Sequence, residues 1–136
     1  KDQGIPMVYA ATGISDLYQE AAEGFNKAVM PVQPIYNSEG RMMLARALAD
    51  DAVSGLNATK IGVISTTDDA GEGMLYGVQK QAELLSEAAK ENLVYVTTPA
   101  EQGTNHSAPV NTLKTAGCDV VIVAANQVPL PKFSIT

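Results

Sequence analysis

Apolar residues along this chain follow two rhythms that alternate with one another. Short, nearly continuous apolar runs fall at residues 60–65, 93–97 and 120–125, the last being the most apolar. Runs of that length without clean alternation are the pattern of strands covered on both faces, as in a parallel sheet. A further strand-like segment spans 5–10. Between the runs, apolar positions recur at helical spacing. Leu44, Ala45, Leu48 and Ala52 form one stripe over 38–53, with Gly55 as its stop. Met74, Val78, Ala82 and Leu85 form another over 73–90, and a shorter helix is predicted over 108–116, ended by Gly117. Near the start, Ser15 is placed to cap a helix running through Leu17, Ala21, Ala22 and Phe25. Pro31 and Pro34 exclude a central strand over 28–35, so that piece reads as an edge or crossover.

Helix and strand thus alternate from Ser38 onward, and right-handed crossovers turn that alternation into one architecture. The expected fold is α/β: a three-layer sandwich with a mostly parallel, doubly wound, flavodoxin-like sheet. With 136 residues and 46% hydrophobic content, the chain is long enough to bury one core without staples. Its single cysteine, Cys118, rules out an intrachain disulfide and a cysteine-based zinc site. A net charge of -6 with scattered Lys and Arg gives no footprint for nucleic acid or for an anionic membrane.

In open α/β sheets, ligands bind beyond the carboxyl ends of the strands. That rule singles out 10–13, 65–69, 97–98 and 124–126, all small or polar. Asp68 and Asp69 read first as solvated or helix-capping acids, and Asn37, Ser38 and Glu39 as helix-start chemistry. Residues 71–77 carry a spaced-glycine pattern that superficially fits a dinucleotide fingerprint. It is weak, because residues 66–70 intervene after the strand and two carboxylates would face a pyrophosphate. His106 is the only histidine, and no nucleophile–base–orienter set can be assembled around it. Neither catalysis nor a cofactor is therefore expected.

Taken in order, the segments 5–13, 60–65 with 68–73, 105–107 ahead of Val110, and 117–124 resemble type I periplasmic solute-binding proteins. These are the leucine/isoleucine/valine-binding and amide-binding receptors of ABC transporters, in which two α/β lobes close on a ligand. The resemblance implies that residues 1–27 correspond to the end of lobe one, 28–36 to a hinge-like crossover and 37–136 to a partial second lobe. It further implies binding of a small polar solute such as an amino acid, with a membrane permease as partner and a periplasmic or other extracytoplasmic location, and it leaves a lipid anchor open for the full-length parent. Ala10, Ala11 and Thr12 match the strand-end segment that holds the polar head of the ligand, and Asn126 matches a position lining the cleft. Asp68 is placed at the same cleft, and Ala70 stands where the branched-chain receptors commonly carry an aromatic over the ligand. Ala70 therefore departs from the branched-chain pattern, and residues 105–107 depart from the usual Asp-Phe-Ser or Asp-Phe-Thr. The alternatives in other classes are a ligand-sensing regulatory domain of the same fold and a flavodoxin-like enzyme or regulatory domain. A homodimer through the amino-terminal strand is expected, since that strand needs a pairing partner.

Overall fold

The chain is described by a computed structural model over residues 6–15, 29–31, 33–50, 53, 55–101 and 104–126. The helix expected from Ser15 through Phe25 and the tail from Gln127 lie outside the described residues, apart from Ser15 itself.

The core is built on β3 (Ile61–Thr66), every residue of which is buried. It is flanked in parallel by β4 (Leu93–Thr98) on one side and β5 (Val120–Ala124) on the other. The registers run without interruption, Ile61 to Leu93 and to Val120 at one end, Ser65 to Thr97 and to Ala124 at the other. Helices α1 (Tyr36–Leu48) and α2 (Asp69–Ala82) cover one face. There Leu44, Ala47, Val78 and Ala82 pack with Ile61, Val63 and Ile122. A short helix, α3 (Glu87–Lys90), leads into β4. Helix α4 (Ser107–Thr115) packs on β4 and β3, with Leu113 buried. The result is a three-layer α/β sandwich in which the chain steps outward from β3 to β4 and then back across it to β5, as a doubly wound sheet does.

A separate parallel pair, β1 (Met7–Ala10) with β2 (Val29–Pro31), precedes this sandwich. In a two-stranded sheet both members are edges, which is where a strand ending in proline is tolerated. β1 therefore has a partner within the chain along one side.

Two of the helices have other boundaries than the sequence reading gives them. α1 starts at Tyr36, not at Ser38. Its N-cap, Ile35, makes no side-chain cap bond, and the Tyr36 amide donates instead to the Gly13 carbonyl at 2.8 Å. Asn37 and Ser38 are inside the first turn. The same helix ends at Leu48, ahead of Gly55, because the returning chain caps it. The Leu56, Asn57 and Ala58 amides donate to the Arg46, Ala49 and Ala47 carbonyls at 3.1, 2.8 and 2.8 Å, satisfying groups a helix end leaves open. The helix expected over 73–90 begins at Asp69 and is interrupted between Ala82 and Glu87.

The end of α4 matches the sequence reading. Gly117 takes φ +74°. Its amide donates to the Lys114 carbonyl at 3.1 Å while the Cys118 amide reaches the Leu113 carbonyl at 3.3 Å. This is the Schellman arrangement, which a left-handed glycine permits. Asp119 then ties the amino ends of β3 and β5 together by accepting from the Thr59 and Lys60 amides at 2.8 and 3.0 Å. Those backbone donors hold its carboxyl below the usual value.

Candidate functional site

The carboxyl ends of β3, β4 and β5 form a crest whose residues are tied to one another. Thr66 ends β3 fully buried, and its hydroxyl donates to Asp68 Oδ1 at 2.6 Å while lying 3.5 Å from the Ala124 carbonyl of β5. The same Asp68 oxygen accepts from the Gly71 amide at 3.0 Å, which makes Asp68 the side-chain N-cap of α2. A carboxylate there satisfies an otherwise open amide and complements the positive end of the helix dipole. The connection from β3 to α2 is thus Thr67 and Asp68 alone. The longer separation assumed for residues 66–70 is corrected by this cap. The glycines that follow are packing positions: a Cβ on Gly71 would overlap the Thr66 carbonyl, and one on Gly77 would overlap the Asn37 carbonyl of α1.

β4 is joined to the crest by the Thr67 amide, which donates to the Thr98 carbonyl at 3.1 Å. The Thr98 hydroxyl lies 2.8 Å from His106 Nδ1, both side chains being buried. His106 precedes α4, and Asn105 accepts from the Ser107 amide at 2.9 Å to shape the same turn. The only histidine therefore holds the β4–α4 connection in place. Among the described residues no group of three or more His, Cys, Asp or Glu side chains converges on a point suited to a metal ion.

The loop after β1 approaches from the other side. Ala11 is exposed, Thr12 is half-buried and Gly13 is buried. Thr12 Oγ1 accepts from the Ile14 amide at 3.4 Å. Through the Gly13 carbonyl, which receives the Tyr36 amide, this loop is fixed to the start of α1. A shallow cavity of about 240 Å³ opens between Gly13, Ser15 and Tyr36 on one side and Asp69, Glu72 and Gly73 of the first turn of α2 on the other.

Of the residues singled out from sequence, Thr12 and Asp68 are thereby brought close to the same helix start. Ala10 ends β1 and Ala11 leads into the loop. Asn126 is exposed just beyond β5, beside the β3 end, and is not among the walls of the cavity. Ala70 is only 4% exposed, tucked into the first turn of α2. Asp69, read from sequence as a solvated or helix-capping acid, lines the cavity, whereas Tyr36 and Glu72 on its walls and the pairing of Thr98 with His106 were not singled out. For Thr98 and His106 the available signal was a hydroxyl at a strand end followed by a histidine at a helix start.

No family model matches the chain, and no curated protein does. A solved structure does. The chain is similar to a branched chain amino acid ABC transporter from Thermus thermophilus with bound valine, with a TM-score of 0.63 over 96% of this chain. Identity is 14%, and the match covers 31% of that chain, so this chain spans about a third of the length of the solved protein. At that identity the likeness is one of fold. The fold shared is the α/β sandwich described above, and no described helix is long and apolar enough to cross a membrane.

Proposed function

We propose that the chain is part of the solute-binding receptor of an ABC importer and takes a small zwitterionic solute such as an amino acid at the crest. The observation that carries this reading is the position of the loop after β1. It is fixed to the start of α1 by the Tyr36–Gly13 hydrogen bond and faces the first turn of α2 across the cavity. In an open α/β sheet ligands bind beyond the carboxyl ends of the strands, and the start of α2 follows directly on that end of β3. The chemistry suits a zwitterion. The Gly71 and Glu72 amides are taken by Asp68, but the Asp69 and Ala70 amides have no partner within the helix, and together with the Thr12 hydroxyl they offer donors to a carboxylate. Asp69 and Glu72 on the cavity wall offer negative charge to an ammonium. The fold likeness to a receptor solved with bound valine supports the same class.

On this reading Ala10, Ala11, Thr12, Asp68, Ala70 and Asn126 lie at or beside one wall of an interlobe cleft. A membrane permease receives the solute outside the cytoplasm, and the protein performs no chemistry on it. The side of β1 opposite β2 has no strand neighbour among the described residues, which leaves room for the homodimer expected through that strand.

A titration panel tests the reading: valine, other α-amino acids, their amides, and matching amines and carboxylic acids, each followed by calorimetry. Zwitterions should bind with a Kd on the order of 1 mM, about 4 kcal/mol, and lose most of that when either charge is removed. Equal binding of the uncharged analogues, or no heat with any amino acid, would overturn it, and conversion of a panel member to a new compound would replace it with an enzyme.

A further inference from the structure

On the face of the sheet covered by α1 and α2, a trough of about 420 Å³ opens between α1 and the end of β5. Glu39, Met42, Met43 and Arg46 of α1 form one wall, Val123 and Ala125 the other, and Met74 of α2 completes it. The four α1 residues recur at helical spacing and so share one face of that helix. Its middle is apolar, with Met42 57% exposed, and its ends carry opposite charges. Methionine is the apolar side chain that adapts best to a docking partner. Among the described residues neither Glu39 nor Arg46 belongs to an ion pair; the described pairs are Lys80 with Glu83 and Lys90 with Glu87. Partial burial pushes the Glu39 carboxyl up from its ordinary value. A cation brought against it would relieve that cost.

We propose that this face binds a second copy of the chain, α1 lying antiparallel against α1 about a two-fold axis. The order of the charges selects this occupant. Glu39 and Arg46 stand about 10 Å apart along the helix, and the midpoint between them falls between Met42 and Met43. An axis through that midpoint sets Glu39 of each copy opposite Arg46 of the other and brings the methionines of both together. An isologous contact demands a patch that is complementary to itself in this way. Opposite charges then fix the register, whereas a parallel alignment would set like charges against each other. The contact uses a surface separate from β1, so it does not depend on pairing of the amino-terminal strand.

Charge exchange tests it, read by sedimentation over a concentration series. The chain should show a monomer–dimer equilibrium. Glu39→Arg and Arg46→Glu each put like charges opposite one another in both halves of the symmetric contact, and each should weaken the dimer roughly tenfold or more. The two move the net charge of -6 in opposite directions, so a general charge effect would weaken one and strengthen the other. Combining them restores opposite pairs in reversed order, and dimerisation should return to within about threefold of its original strength. The exchange sets both charges against the α1 dipole, and circular dichroism of each variant separates any loss of helix from loss of association. A monomer at every concentration, single variants that associate like the parent, or a folded double variant as weak as the singles would overturn the proposal. A dimer indifferent to all three variants but abolished by Val8→Asp in β1, where Val8 is 65% exposed, would assign association to the amino-terminal strand and overturn it equally.

Discussion

Gly40→Ala and Gly77→Ala should each destabilise the chain by about 3 kcal/mol, the upper range for overpacking a core. α1 and α2 meet backbone to backbone. A Cβ on Gly40 would overlap the Met74 carbonyl, and one on Gly77 would overlap the Asn37 carbonyl. In both cases the obstacle is a helix backbone, which has no flexible end to swing aside, so the helices must separate. Separation thins the layer in which Leu44 and Val78 are 0% exposed, which is why the cost exceeds that of one added methyl. Alanine's better helix propensity returns only about 1 kcal/mol. Urea unfolding followed by circular dichroism measures the effect, and losses below about 1 kcal/mol in both variants, under the range for overpacking, would mean that the two helices do not touch as described.

Gly71→Ala should cost about 2 kcal/mol and should also disturb the crest. Its added methyl would overlap the Thr66 carbonyl, with the Thr66 hydroxyl close by. The first turn of α2 must then move away from the end of β3, stretching the bonds that Asp68 accepts from Thr66 and from the Gly71 amide. Asp68→Ala removes the same two bonds from the other side, and loss of an N-cap alone costs about 1 kcal/mol. Because both substitutions damage one connection, their effects should combine to less than their sum. A double-mutant cycle by urea unfolding checks this. Strict additivity would show that Asp68 and Gly71 stabilise the chain independently, contrary to the shared cap.

How far the sequence foretold this structure depended on where the deciding forces lay. β3 and β5 were legible because burial is written into consecutive apolar residues, and the stop of α4 because Gly117 tolerates a left-handed backbone that other residues resist. The ends of α1 were not legible. Its start depends on the Gly13 carbonyl and its finish on amides of 56–58 folding back, both supplied by chain outside the helix. The start of α2 was obscured by the spaced glycines, which superficially fitted a dinucleotide fingerprint, whereas Gly71 and Gly77 are small so that backbones can approach. At the site, strand-end reasoning found Thr12 and Asp68 since both follow strands directly. It marked Thr98 as a strand end but missed its pairing with His106, which crosses a loop, and it missed Tyr36, whose place at the cavity follows from where the β1 loop docks.

The central claim, that the crest receives a small zwitterion, is tested most directly by following backbone amide resonances while valine and other amino acids are added. Binding predicts shifts confined to the amides of 11–14, 66–73 and 124–126, moving together along one saturation curve. Shifts concentrated instead at the amino ends of the strands, around Lys60 and Asp119, or no shifts at millimolar amino acid, would contradict it.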